Sequence, residues 1–148
     1  MREHTYQIDV DGIIWFGDEF YEDPVIYRAF HENMARTSDG KIVADCLGER
    51  CWIEPADVPF VVQGIEIAKD GSGATLVLTG GIEERLDPAT LKVGAENVLY
   101  AAVKSGAFEA RFTRKAYYEL AQRITPKGGA FVLELGGKAW AIAGAPAP

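Results

Sequence analysis

The chain has 148 residues, 48% of them hydrophobic and 25% charged, with a net charge of −7. That is the composition of a soluble globular domain, and it excludes a disordered, fibrous or collagen-like chain. Its longest apolar runs, such as residues 58–62, fall far short of the roughly 18 residues a membrane span needs, and a net acidic surface repels the nucleic-acid backbone.

The charge is unevenly placed. Residues 1–100 carry 8 Lys/Arg against 19 Asp/Glu, whereas residues 101–148 carry 7 against 3. Either the C-terminal part makes a local basic patch, or the acidic and basic parts sit against each other within one fold. The polar start Met1-Arg-Glu-His-Thr-Tyr6 runs directly into a strand pattern, which predicts no signal peptide and a cytoplasmic protein with reduced thiols.

In chain order, residues 6–10 alternate, Asp11-Gly12 marks a turn and residues 13–16 return, which predicts a hairpin. Asp23 before Pro24 reads as an N-cap followed by proline at the first helical position. Val25, Ile26, Tyr27, Phe30 and Met34 then recur at helical spacing, predicting an amphipathic helix over 24–36 that stops at Thr37-Ser-Asp-Gly40. Strands at 41–47 and 50–54 follow, joined at Gly48-Glu49. Residues 60–67 and 74–79 are apolar strand runs separated by Asp70-Gly-Ser-Gly73, and residues 82–86 are a third strand.

The first order of elements then returns. Strands at 98–103 and 107–112 flank Ser105-Gly106, Thr113 caps a helix over 114–124, and strands at 130–135 and 138–143 flank Gly136-Gly137. Both second hairpins carry Gly-x-x-x-Trp, at Gly48 to Trp52 and at Gly136 to Trp140. The sequence therefore predicts an α+β protein built from two related β-hairpin–helix–β-hairpin repeats. Their bounds are 1–56 and 96–144, with connecting β-strands over 57–95 and a disordered tail over 145–148, all in one compact domain.

Cys46 and Cys51 are the two thiols, in Cys-x4-Cys spacing. A structural zinc site wants four Cys/His ligands at closer spacing, so no metal or other cofactor is predicted. With Gly48-Glu49 as the loop, Cys46 faces Cys51 at a non-hydrogen-bonded pair, where Cα atoms approach to about 4.5 Å and a disulfide is possible. The alternative is that Ala44, Cys46, Cys51 and Ile53 form one apolar hairpin face, with cysteine acting as a small hydrophobe, and this is the reading adopted. No phosphate loop, nucleophile elbow or His-Glu-x-x-His pattern is present, and Gly71-Ser-Gly73 reads as turn chemistry. His31 reads as a helix-surface histidine. Arg50, beside Trp52 and Asp45 on the face opposite the cysteines, and Arg111 and Arg114 around the start of the second helix are the cations that an anion would match.

Tyr6-Gln-Ile-Asp-Val-Asp-Gly12 with Trp15-Phe16, Cys46-Leu-Gly-Glu-Arg50 and Asp57-Val-Pro-Phe-Val-Val62 resemble an uncharacterised family of small animal mitochondrial proteins with bacterial relatives. The identities are Cys46, Glu49, Arg50, Asp57 and Pro59, while Cys51 departs from the pattern and so argues against a required cysteine pair. Glu109-Ala-Arg-Phe-Thr-Arg-Lys-Ala-Tyr-Tyr118, with the downstream Gly-x-x-x-Trp, is similar to a second, bacterial family of unknown function. That resemblance implies a duplicated α+β fold with a superficially pleckstrin-homology-like second half, and ligand binding or signalling where the halves meet. It implies no reaction.

The expected function is a noncatalytic binding or regulatory module using Glu49, Arg50, Trp52, Asp57, Arg111 and Arg114 where the repeats meet. The competing readings are a small hydrolase or transferase with Asp57 or Glu49 as base, and a structural dimerisation domain. A small anionic ligand, a protein partner and a homodimer all stay open; nucleic acid and membrane do not.

Overall fold

The computed structural model describes residues 1–144; the tail expected over 145–148 lies outside them. By its contacts the chain divides into two units, one of Met1–Pro59 with Thr79–Ile82 and one of Phe60–Leu78 with the chain from Glu83.

Unit 1 contains β1 (Arg2–Ile8), β2 (Ile14–Phe16), β3 (Glu19–Phe20), α1 (Pro24–Asn33), β4 (Met34–Arg36), β5 (Ile42–Cys46) and β6 (Glu49–Pro55). They form a six-stranded sheet in the order β3-β2-β1-β6-β5-β4, parallel between β1 and β6 and antiparallel elsewhere. The first turn is fastened by Asp9, whose Oδ1 accepts from the Asp11 and Ile13 amides at 2.9 and 3.0 Å and whose Oδ2 accepts from Trp15 Nε1 at 2.8 Å. Asp23 caps α1 as expected, accepting from the Val25 amide at 3.0 Å, with Pro24 beginning the helix.

The helix ends three residues earlier than its periodicity predicts, because Met34–Arg36 is drawn into the sheet as β4, with Met34 paired to Ala44. Its buried residues are Tyr27 and Phe30, at i and i+3, with the buried Met34 following in β4. Val25, assigned to that face from the sequence, is 65% exposed, since two residues before Tyr27 is about 200° around a helix of 3.6 residues per turn. The Tyr27 hydroxyl accepts from the Ile14 amide at 3.1 Å and donates to the Tyr21 carbonyl at 2.7 Å, tying helix to hairpin. Gly80 packs against the same residue: a Cβ there would lie 2.3 Å from Tyr27 Cβ.

The β5–β6 turn differs from its expected position. Leu47 and Gly48, at φ 51° and 77°, form the two-residue loop, so Cys46 pairs with Glu49, Asp45 with Arg50 and Ala44 with Cys51. The direct Cys46–Cys51 pairing is therefore wrong. Moving the loop by one residue slips the pairing by two, and an even slip keeps every side chain on its face. Ala44, Cys46, Cys51 and Ile53 thus still share one face.

Unit 2 contains β7 (Phe60–Ile67), β8 (Ala74–Leu78), β9 (Ile82–Arg85), β10 (Lys92–Val93), β11 (Leu99–Val103), β12 (Phe108–Phe112), α2 (Arg114–Ala121), β13 (Ile124–Lys127), β14 (Ala130–Leu135) and β15 (Lys138–Ala141). Its main sheet runs β10-β11-β12-β7-β8-β9, parallel between β12 and β7, and β13-β14-β15 form a separate antiparallel sheet. Thr113 caps α2 by accepting from the Ala116 amide at 3.1 Å. This helix also stops early, at Ala121, because Ile124–Lys127 pairs with β14, with Pro126 opposite Phe131.

Ala116 and Leu120 are the residues α2 buries, against a core that includes Val61, Val62, Leu76, Leu99, Phe112 and Leu133. The architecture fits a duplicated α+β fold, mostly β with two helices. Among the described residues no charged or polar side chain is buried, and no helix is long and apolar enough to cross a membrane.

Candidate functional site

Strand β6 carries three of the residues the sequence singled out, and alternation divides them between two faces. Arg50 and Trp52 share one face. Arg50 donates from Nε and Nη2 to the two oxygens of Asp45 at 2.9 and 3.1 Å, a two-pronged pair across the β5–β6 ladder. Hydrogen bonding from Arg50, opposed by some desolvation, holds the Asp45 carboxyl below its ordinary range, and the same bond raises Arg50. The guanidinium carbon lies 5.9 Å from the Trp52 ring centroid, and Lys41 Nζ lies 5.7 Å from it. Trp52 Nε1 donates to Glu3 Oε1 at 2.8 Å. Parallel pairing brings Glu3 beside Arg50, so the indole is fixed at its edge and flanked by cations. Next to it is a hollow of about 450 Å³ lined by Thr5, Lys41, Trp52 and Glu54 among others.

Glu49, expected to act with Arg50, lies on the other face. It sits 3.8 Å from Arg2 Nη1 and 3.7 Å from His4 Nε2, the β1 residues brought there by the parallel register. Its neighbours are the thiols. Burial first, then the adjacent Cys46 and Glu49, push Cys51 up to about 11, and burial likewise raises Cys46. Tyr6, packed edge-on to Phe30 at 5.3 Å, is pushed by burial to about 12. These groups are protonated at neutral pH, so Cys51 acts as an apolar core residue and Cys46 as a half-buried one, free of any disulfide.

The remaining candidates lie on other elements. Asp57 lies in an exposed bend after β6. Arg111 is a half-buried residue of β12, paired in register with Tyr100 and Val61, and Arg114 is the exposed first residue of α2. Sequence reasoning missed Lys41 and Glu3. Lys41 follows Gly40 at the end of a turn, a signal too weak to single out, and Glu3 reaches Trp52 through a pairing of strands 49 positions apart.

No family model matches the chain, and no curated protein matches it. Two solved structures share its fold. A DUF1285 family protein from Silicibacter pomeroyi DSS-3 superposes with a TM-score of 0.73 at 18% identity, over 96% of this chain and 81% of that one. A DUF1285 family protein from Shewanella baltica OS155 superposes at 0.65 and 14% identity, over 79% of this chain and 90% of that one. Both are bacterial proteins of unknown function. They agree with the duplicated α+β expectation, and the animal mitochondrial resemblance has no counterpart in them.

Proposed function

We propose that the protein is a noncatalytic ligand-binding module of regulatory or signalling type, and that unit 1 takes a small flat anionic ligand beside Trp52. The observation that carries this is the indole held between Lys41 and Arg50 at the rim of a hollow of about 450 Å³. Trp52 offers flat apolar area, Lys41 the attracting charge, and Arg50, engaged by Asp45, keeps the ring in place. Burial raises both thiols, the reverse of an activated thiolate. The pleckstrin-homology-like relation implied for the second half belongs to the same reading.

A thermal-shift screen of anionic metabolites, nucleotides and short acidic peptides tests it. A binder is expected to raise the wild-type melting temperature with increasing concentration. The shift should disappear in Trp52→Ala and shrink in Lys41→Ala. No hit in any class, or hits that survive Trp52→Ala unchanged, would sink it.

A further inference from the structure

In unit 2 the β7–β8 turn, Asp70-Gly71-Ser72-Gly73, and the β14–β15 turn, Gly136-Gly137, are clasped together: the Gly136 amide donates to the Gly71 carbonyl at 2.8 Å. The approach requires glycine, since a Cβ on Gly136 would lie 2.9 Å from the Ser72 carbonyl oxygen. Beside the clasp is a cleft of about 450 Å³ lined by Arg123, Lys127 and Lys138 with Asp70 and Glu134. An adjoining hollow of about 170 Å³ shares Lys138 and adds Arg85.

Two arginines pack over the glycines of the first turn, of which Gly71 is at φ 72°. Arg123 lies across Gly71, where a Cβ would be 3.2 Å from Nη1, and Arg85 lies across Gly73, where a Cβ would be 2.6 Å from Nη2. Arg123 is half-buried. Elsewhere in the unit cations pair, Lys92 with Glu109 at 2.7 Å and Lys115 with Glu119 at 3.3 Å. Among the described residues Arg85, Arg123, Lys127 and Lys138 form no ion pair.

The cleft's own carboxylates are hydrogen-bonded to groups other than its cations, each through one oxygen, which leaves further lone pairs open. Asp70 accepts from the Ser72 amide at 2.9 Å and is held below the usual range by the Ser72 side chain and amide, and Glu134 accepts from Thr125 Oγ1 at 3.5 Å. Several cations gathered around a cleft repel one another and gain most from a compact multivalent anion. Arginine's planar fork and two ammonium groups match the oxygens of a phosphate.

We propose that this cleft binds the phosphate group of a small phosphorylated molecule that also carries hydroxyl groups. Arg123 holds the phosphate with Lys127 and Lys138, and Arg85 extends the positive surface. The cleft's size falls within the range of small-molecule sites, roughly 300–1,000 Å³, so it holds more than one oxyanion. Asp70 and Glu134 then stand as acceptors for the hydroxyls.

Isothermal titration of the full chain with glucose 6-phosphate, inorganic phosphate and glucose tests the proposal. Glucose 6-phosphate is expected to bind saturably and more tightly than inorganic phosphate, and glucose not at all. Arg123→Gln, with its melting temperature checked, should weaken binding by about tenfold or more, as loss of a charge-assisted pair does. Lys127→Gln, at an exposed position of β13, should weaken it several-fold and keeps the test alive if Arg123→Gln fails to fold. Arg114→Gln, on α2, and Trp52→Ala, in unit 1, should leave affinity unchanged, which separates this site from the one beside Trp52. The proposal is overturned by absence of saturable binding, by equal affinity for phosphate and glucose 6-phosphate, or by an Arg114→Gln loss as large as that of Lys127→Gln.

Discussion

The β5–β6 and β14–β15 hairpins share a Gly-x-x-x-Trp motif and differ in its charge balance. In each, a cation two residues before a tryptophan lies over its ring, Arg50 at 5.9 Å from Trp52 and Lys138 at 5.8 Å from Trp140. In unit 1 the cation's cross-strand partner is Asp45, and a two-pronged ion pair closes the charge. In unit 2 the cross-strand partner of Lys138 is Leu135, and the ammonium lines the cleft uncompensated. The same cation–indole spacing thus serves as a brace where the cation meets an acid across the strands and leaves charge available where it meets Leu135. The helices are also tied differently. Unit 1 ties α1 to the hairpin through the hydroxyl of Tyr27, and unit 2 ties α2 to β7 through Glu119, whose Oε1 accepts from the Ile65 amide at 3.2 Å, above the buried Ala116 and Leu120.

The largest effect that would test this contrast is Leu120→Ala. Leu120 is fully buried, and truncation should destabilise unit 2 by about 2–5 kcal/mol in urea unfolding. Tyr27→Phe keeps the ring but orphans the Ile14 amide and the Tyr21 carbonyl, at an expected cost of about 1–3 kcal/mol. A Tyr27→Phe variant as stable as wild type would mean that α1 docks by apolar packing alone.

The next effect separates the units by pH. The unfolded Cys51 thiol titrates near 9 and the folded one near 11, so its contribution is complete below about pH 9 and lost as pH rises through 11. Tyr6, raised from 10 to about 12, extends the loss upward. Melting temperatures followed across this alkaline range should fall less steeply in Cys51→Ala, and an identical slope would remove the thiol from the account. Smallest is Leu47→Asn. Leu47 holds a left-handed conformation at φ 51° with its side chain fully exposed, so an Asn-Gly turn should stabilise by about 1 kcal/mol in the same unfolding experiment.

Patterns local in sequence were legible. The caps at Asp23 and Thr113, the strands 60–67 and 130–135, and the Gly-x-x-x-Trp correspondence follow from spacing and turn chemistry. Competition for short segments was not. Met34–Arg36 and Ile124–Lys127 read as the last turns of helices, yet each gains more by pairing with a neighbouring strand. The turn at Leu47 was missed because Gly48-Glu49 fits a type II′ turn with glycine alone at positive φ, whereas the observed loop holds Leu47 itself at φ 51°. At the candidate site, Arg50, Trp52 and Asp45 were readable as one hairpin face. Glu49 reads from the sequence as a loop residue, yet as the first residue of β6 it alternates with Arg50 and takes the opposite face. The cluster of Arg85, Arg123 and Lys138 is drawn from three distant segments, and no local pattern announces it.

Pro126 has a further consequence at the open side of the small sheet. The Glu134 amide donates to the Arg123 carbonyl, which makes that pair a hydrogen-bonded one. Alternation then places Pro126, opposite Phe131, at a non-bonded position whose backbone faces away from β14. The missing N–H therefore costs the ladder nothing. It removes the central donor from the rim of β13, where a strand of another molecule would have to add, and so guards this edge against fibrillar self-association.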